Sequence, residues 1–181
     1  FDAAHPLEGV LVVGPREALL EAGAALGERS SAEAFTAARI AGGRPAWGFE
    51  LAPDHFPPEV GFVDAVSYDK GCFMGQEPLS RIHNRGQVNW VMVRLRAEAA
   101  PAEGETQPLT LDEREVGRWT SWVGTDGSVQ GLAIVKRVQA VPGVRLRAGA
   151  LEVEVLTGPL GDDPGGPGRQ KAATVTLGGR R

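Results

Sequence analysis

The second half of the chain is dominated by short runs in which apolar and polar residues alternate, each closed by a cluster of turn-forming residues. The runs are residues 88–95, 115–123, 130–138 and 151–156. Alternation with a period of two is typical of a strand that buries one face. Asp126-Gly127, between the second and third runs, is a strong signal for a two-residue hairpin turn. The pattern therefore predicts a small antiparallel β-barrel or sandwich.

The first part of the chain follows a different pattern, in which apolar residues recur at helical spacing. We predict helices over residues 16–26 and 32–41, the second one capped by Ser30 or Ser31. Short apolar runs indicate strands at residues 9–14 and 60–68. No glycine-rich phosphate loop follows the first of these runs, which argues against a Rossmann fold.

These patterns divide the chain into three parts. We expect a partial α+β domain over residues 1–86, a β-barrel domain over residues 87–160 and a flexible tail over residues 161–181. The tail begins with GDDPGGPG, a composition typical of mobile linkers. The opening segment starts at Phe1 without a methionine and reads as the interior of a longer chain, so we expect further N-terminal sequence.

Composition and charge exclude several classes of protein. The net charge is −4 at pH 7, so a protein-wide basic field for nucleic acid is absent. No apolar run is long enough to span a bilayer, and the start does not resemble a signal peptide. Cys72 is the single cysteine, which excludes an internal disulfide and fits a reducing compartment. We therefore expect a cytoplasmic protein without a membrane partner.

The segment richest in chemistry is KGCFMGQE, residues 70–77, together with the residues that follow it. Its two glycines permit positive φ angles or the close approach of a ligand. Pro78 suits the first turn of a helix, which places Glu77 at or near the N-cap and Arg81 one turn later. A tight loop that leads into a helix N-terminus is a usual place for a ligand anchor.

This segment resembles the signature of YgfZ-like proteins, a branch of the glycine-cleavage T-protein superfamily, whose pattern is K-G-C-aromatic-x-G-Q-E-x-x-x-R. The match extends from Lys70 to Arg81 and continues as R-x-H-x-x-G. T-proteins carry an aspartate where this chain has Cys72, which favours the YgfZ-like branch. Four shorter segments match the same family more weakly: R-I-A-G at residues 39–42, W-G-F-E at 47–50, G-R-W-T-S at 117–121 and G-L-A-I-V-K-R at 131–137.

The resemblance implies both a fold and a function. The fold is α+β, with a ferredoxin-like, T-protein folate-binding region followed by a small antiparallel β-barrel. The function is that of a tetrahydrofolate-binding accessory protein that supports assembly or repair of iron–sulfur clusters, including those of tRNA-modifying enzymes. The implied partners are a folate and iron–sulfur client proteins. The alternatives are a folate-dependent aminomethyltransferase and an interaction module that has kept the fold and lost the ligand.

Glu77 and Glu50 are the candidates for recognition of the pterin ring. An ionised carboxylate can accept the adjacent N–H and amino groups of a pterin edge. The alternatives are a helix cap or helix-dipole role for Glu77 and an exposed loop carboxylate for Glu50. Trp47 is a candidate for stacking on the pterin, and core packing is its alternative.

Cys72 and Lys70 are the candidate catalytic residues. Lys70 and the nearby helix start would favour the thiolate form of Cys72, whose alternative role is that of a small buried hydrophobe. Arg81, with Lys70 and Arg85, could form a cationic rim for the folate tail or a surface for RNA or a partner protein; the alternative is ordinary solvated surface or salt bridges. His83 is either a proton carrier or a structural histidine. The histidines and the cysteine have no metal-ligand spacing, so we expect no metal site.

Overall fold

A computed structural model of the protein describes residues 12–86, 88–101, 106–125, 127–161 and 163. Within these ranges, the first part of the chain contributes three α-helices and short turns, and the second part contributes six strands. The predicted α+β class is therefore confirmed.

Six antiparallel strands form a closed barrel. They are β1 (Trp90–Ala97), β2 (Gln107–Leu111), β3 (Arg114–Thr125), β4 (Ser128–Lys136), β5 (Arg145–Ala148) and β6 (Leu151–Val155). The order around the barrel is β1-β4-β3-β2-β5-β6, and the pairing of β6 with β1 completes the circle. Closure leaves the sheet without a free edge that could pair with another chain.

The barrel interior is filled by apolar side chains from every strand. Each strand contributes at least one side chain that is fully buried in the core: Leu95, Leu109, Trp119, Val135, Leu146 and Val153. Full burial of one such side chain stabilises the folded state by about 1.5–3 kcal/mol. The barrel core is therefore the main source of hydrophobic stabilisation in the described chain.

Four of the six strands lie where alternation predicts them. β1, β3, β4 and β6 overlap the four predicted runs, with ends shifted by up to a few residues. The predicted hairpin joins β3 to β4, because Thr125 pairs with Ser128; Asp126 itself lies outside the described residues. β2 and β5 were not predicted. β2 contains Pro108, which is rare inside strands, and β5 has only four residues.

The two helices predicted before the signature are confirmed. α1 spans Arg16–Leu26 and α2 spans Ala32–Ala41. Ser31 caps α2, since its Oγ accepts the backbone N–H of Ala34 at 3.0 Å. α2 packs Ile40 against the outer surface of β1, β3 and β4. No residue of α1 is buried against the rest of the described chain.

The strands predicted in the first part of the chain are not found in its described residues. The run at residues 60–68 forms a 3-10 turn, Val63–Ala65, instead of a strand, and Gly61 before it has a φ of 66°. Residues 9–11 lie outside the described residues, while Val12 and Val13 are exposed and not in a strand. Within the predicted flexible tail, Asp163 is buried, and residues 164–181 lie outside the described residues.

Candidate functional site

A buried carboxylate, that of Glu50, joins α2, the loop after it and the barrel. The Glu50 side chain is 0% exposed. Its Oε2 accepts hydrogen bonds from Nη1 of Arg39 at 3.1 Å and from the backbone N–H of Ala46 at 3.0 Å. Its Oε1 accepts hydrogen bonds from the hydroxyls of Thr120 and Ser121, both at 2.6 Å. All four partners of this carboxylate are groups of the chain itself, and the single hydroxyl proton of Thr120 is shared with the backbone oxygen of Leu132, 2.9 Å from its Oγ1.

Two neighbouring residues of β3 reach the same carboxylate because the strand is irregular there. Successive side chains of a regular strand point to opposite faces of the sheet. The pairing of β3 with β4 shifts in register between Trp119 and Ser121, so Thr120 is an extra residue. This β-bulge turns both hydroxyls toward Glu50 while Trp119 stays in the barrel core.

A glycine on β4 makes room for the bulge. A Cβ atom on Gly131 would lie 2.0 Å from Nε1 of Trp119 and 2.3 Å from the backbone oxygen of Ser121. Both distances are too short for any side chain, so only glycine fits at this position. The Glu50 network, defined as Arg39, Glu50, Thr120 and Ser121, thus depends on the packing of the strand behind it.

The residues of the Glu50 network come from separate short segments that weakly match the YgfZ-like pattern. Arg39 opens R-I-A-G, Glu50 ends W-G-F-E, and Thr120 and Ser121 end G-R-W-T-S. Gly131, behind them, opens G-L-A-I-V-K-R. The structure brings residues of all four short segments together at one place. The sequence alone did not predict that these segments meet.

A cleft of about 320 Å³ opens directly over the Glu50 network. Its walls include three aromatic rings, and its floor includes polar side chains of the network: Phe35, Phe49, Trp122, Arg39, Thr120 and Ser121. Phe35 and Phe49 are 46% and 48% exposed. A second cleft of about 250 Å³ shares Phe49 and Thr120 with the first.

Arg39 presents unused hydrogen-bond donors in this cleft. Its side chain is 8% exposed, and its Nη1 donates to Glu50 and to the backbone oxygen of Arg44 at 2.8 Å. Its Nε and Nη2 have no hydrogen-bond acceptor among the residues that the structure describes. The guanidinium also lies 5.8 Å from the centre of the Phe49 ring. Because Glu50 balances the charge of Arg39, the cleft suits a planar ligand with neutral acceptor atoms.

The structure changes the interpretation of Glu50 and Trp47. The alternative of an exposed loop carboxylate is wrong, because Glu50 is fully buried. Its oxygens accept hydrogen bonds from four groups of the chain, which tie it to Arg39 and the bulge, and a role in pterin recognition stays a prediction. Trp47 is 76% exposed, so core packing is wrong for it, and stacking on a ligand stays a prediction.

The signature segment is an exposed loop that leads into a helix. α3 spans Gln76–Arg85 and begins after Gly75, whose φ of 83° lies in the left-handed region. Cys72 is exposed, so its alternative as a buried hydrophobe is wrong. The Nζ of Lys70 lies 4.6 Å from the centre of the Phe73 ring, a cation–π contact that holds Lys70 beside the loop.

Glu77 and Arg81 lie one turn apart on α3, and both side chains are exposed. Glu77 is in the first turn of the helix, where a carboxylate interacts favourably with the helix dipole. That position fits the dipole role and leaves the carboxylate free to bind a ligand as well. The roles of Glu77, Arg81, Lys70 and Cys72 in a site stay predictions, and the side chain of Arg85 lies outside what the structure describes.

The chain is similar in sequence to two named proteins. It is 33% identical over 113 residues to a protein of Arabidopsis thaliana named as a chloroplastic transferase; the alignment covers 61% of this chain and 26% of that protein. It is 34% identical over 92 residues to the tRNA-modifying protein YgfZ of Vibrio vulnificus, covering 45% of this chain and 28% of that protein. No protein-family model matches the chain.

One solved structure with a similar fold is the glycine cleavage system aminomethyltransferase T from Bartonella henselae. The TM-score is 0.55 at 22% identity, over 68% of this chain and 37% of that one. The predicted resemblance to YgfZ-like proteins of the T-protein superfamily is confirmed. The fold of this YgfZ-like chain, a helical region followed by an antiparallel barrel, is T-protein-like. The chain spans about a quarter of the length of each of the two sequence relatives.

A third cluster in this YgfZ-like chain was only partly visible in the sequence. The Nδ1 of His83 lies 2.9 Å from Oδ1 of Asp163, and the Tyr68 hydroxyl donates to Oδ2 of Asp163 at 3.4 Å. The Tyr68 and His83 rings are stacked, with centroids 3.8 Å apart and planes inclined by 15°. Asp163 lies 80 residues after His83, so sequence spacing gave no signal for this contact.

Two further properties concern the described parts of the YgfZ-like chain. No helix there is both long enough and apolar enough to cross a bilayer. In the same parts, no three His, Cys, Asp or Glu side chains form a group that could hold a metal ion. The cytoplasmic location stays a prediction, since one relative is named as chloroplastic.

Proposed function

We propose that this chain binds a reduced folate, with the pterin ring in the cleft over the Glu50 network. The observation that carries the proposal is a nine-tenths buried arginine, Arg39, with unused N–H donors among half-exposed aromatic rings. A pterin is planar and carries a carbonyl and ring nitrogens, which suit both features. Binding sites for such ligands are usually apolar clefts with a few fixed polar groups.

Charge in the cleft favours the neutral pterin over a phosphate or a carboxylate. The positive charge of Arg39 is balanced by Glu50 at 3.1 Å, so the cleft has donors but little net charge. The anionic tail of a folate would instead be attracted to exposed cations, for which Lys70 and Arg81 of the signature segment are our candidates. Glu77 and Trp47, both exposed, are the candidates for further contacts with the pterin.

The wider role that we propose is accessory rather than catalytic: support of the assembly or repair of iron–sulfur clusters in client proteins. Cys72 supports this proposal, because it is an exposed thiol on a loop and thiolates are the usual ligands of such clusters. The relative named YgfZ is a tRNA-modifying protein, so clients that modify tRNA are one class to test.

Calorimetric titration of the chain with tetrahydrofolate tests the binding proposal. Phe49→Ala should weaken binding by roughly tenfold, because it removes an aromatic wall of the cleft. Phe56→Ala is the matched control, since Phe56 is 41% exposed but lies outside this cleft, and it should leave the affinity unchanged. Equal effects of the two variants, or no binding by the wild type at high micromolar folate, would refute the proposed site.

A folate-dependent aminomethyltransferase is the second candidate, and the similarity in fold to aminomethyltransferase T favours it. Cys72 stands against it, because the resemblance places an aspartate there in T-proteins. Transfer of a labelled aminomethyl carbon to tetrahydrofolate in the presence of this chain would support the second candidate. Folate binding without transfer would support the accessory role.

A further inference from the structure

Tyr68, His83 and Asp163 surround the signature loop, which we define as residues 69–75. Tyr68 is the residue just before the loop, and His83 is on α3, the helix that follows it. The stacked Tyr68 and His83 rings therefore connect the start of the loop to the last turn of the helix that follows it. Asp163 accepts hydrogen bonds from both side chains, so it ties both of them to the segment that follows β6.

The segment that carries Asp163 is itself fixed to the barrel. The backbone N–H groups of Leu156 and Leu160 donate to the carbonyls of Arg94 and Met92, both at 2.8 Å. A Cβ atom on Gly161 would lie 2.5 Å from the backbone oxygen of Gly61, so these two backbones are in direct contact. The segment before Asp163 therefore runs along β1, and this path places Asp163 next to α3.

We propose that Tyr68, His83 and Asp163 form a clasp that holds the signature loop in one position relative to the barrel. Asp163 is then a positioning residue for the loop that displays Cys72. The value of this positioning rests on the proposed role of Cys72, whereas the existence of the clasp does not. The test below measures the clasp without folate or client proteins, so the two proposals can fail separately.

The hydrogen bond between His83 and Asp163 makes Asp163 the central member of the clasp. Its side chain is 4% exposed and that of His83 is 17% exposed, so water competes little for their hydrogen bond. A Nδ1–H group donates to the carboxylate in both the neutral and the protonated imidazole, provided the neutral ring takes the Nδ1–H tautomer. Removing Asp163 takes away the hydrogen bonds to both Tyr68 and His83, and removing His83 leaves only the longer Tyr68 contact of 3.4 Å, so either change should loosen the loop.

Native-state trypsin digestion at the Lys70–Gly71 bond measures how often the loop opens. Lys70 is exposed and lies inside the loop. Because such cleavage follows the population of the open form, loss of a charged hydrogen bond in Asp163→Ala or His83→Ala should raise its rate roughly tenfold. Asp163→Asn keeps an oxygen acceptor for His83 and should restore most of the protection.

Asp64→Ala is the matched control, because the exposed Asp64 pairs with Arg44 at 2.8 Å and lies close to the loop in sequence. Its cleavage rate should equal that of the wild type. Near-ultraviolet circular dichroism checks that the barrel remains folded, and His83→Ala alone decides the test if Asp163→Ala does not fold. A rate within twofold of wild type in the folded clasp variants, or an equal rise in Asp64→Ala, would overturn the clasp.

Discussion

The Glu50 network and the signature segment have opposite relations between sequence and space. The network joins the first part of the chain, Arg39 and Glu50, to the bulge of β3 about 70 residues later, through hydrogen bonds of 2.6–3.1 Å in a buried site. The signature places Lys70, Cys72 and Arg81 close together in sequence, yet their side chains are all exposed. The contiguous signature motif therefore corresponds to an exposed surface. The dispersed motif fragments correspond to the buried Glu50 network.

This difference separates two tasks of the molecule. Buried polar groups are expensive to leave unpaired, so the network fixes the floor of the cleft rigidly. Exposed side chains on a loop cost little to change and are free to meet a ligand or a partner. Substitutions should accordingly affect stability in the network and function in the signature.

Glu50→Gln should have the largest effect and tests this division most directly. The amide group can accept at only one of its two ends, and it leaves the buried Arg39 without a countercharge. Removing one partner of a buried ion pair typically costs about 3–5 kcal/mol of unfolding free energy. Urea denaturation followed by tryptophan fluorescence measures the loss.

Glu77→Gln is the matched control, because it makes the same chemical change on the exposed first turn of α3. Surface substitutions of this kind usually change stability by no more than about 0.5 kcal/mol. Similar losses in both glutamine variants would break the distinction between a packed network and a displayed segment.

Gly131→Ala should have the next largest effect, because the new methyl group would overlap Trp119 and the backbone of Ser121 behind the network. Overpacking of a filled core costs about 1–3 kcal/mol, and the bulge that orients Thr120 should be disturbed as well. Gly124→Ala on β3 is the control, since its Cβ would meet nothing within 4 Å. Thermal unfolding should separate the two, and equal melting temperatures would show that the bulge does not need the glycine.

The barrel was largely predictable from local patterns, and the network was not. Partial alternation of apolar and polar residues and a hairpin signal indicated β1, β3, β4 and β6. β1 and β4 bury residues on both faces, because Met92 and Leu132 pack against Ile40 of α2. The bulge at Thr120 left no trace in the alternation, so the shared orientation of Thr120 and Ser121 could not be foreseen. Glu50 in a Pro- and Gly-rich stretch gave no sign of burial, since two of its four donors, Thr120 and Ser121, lie about 70 residues later in the chain.

The signature shows the converse case. Its loop and helix start were predictable, because glycine and proline act through local backbone geometry. The contact of His83 with Asp163 was not, because it depends on the path of the chain after the barrel. Sequence reasoning therefore identified residues that are displayed and missed the residues that hold them.

Glu77→Ala tests the signature segment through its effect on folate binding. If the displayed carboxylate binds the pterin edge, its loss should weaken tetrahydrofolate binding by about 1–3 kcal/mol, the usual result of leaving donors unpaired. Glu21→Ala on α1, another exposed helical glutamate, controls for the change in net charge. If calorimetry finds the same affinity in wild type and Glu77→Ala, the role of Glu77 is limited to its interaction with the helix dipole.

Gly75→Ala should have the smallest effect, and it separates the two glycines of the signature. Gly75 has a φ of 83°, so an alanine there is strained by about 1 kcal/mol, whereas no such angle applies to Gly71. A Cβ at either position would meet nothing within 4 Å, so steric overlap does not confuse the result. Urea denaturation should therefore show a small loss of stability for Gly75→Ala and none for Gly71→Ala. A loss of stability in Gly71→Ala instead would mean that the loop before α3 is packed more tightly than its exposed side chains indicate.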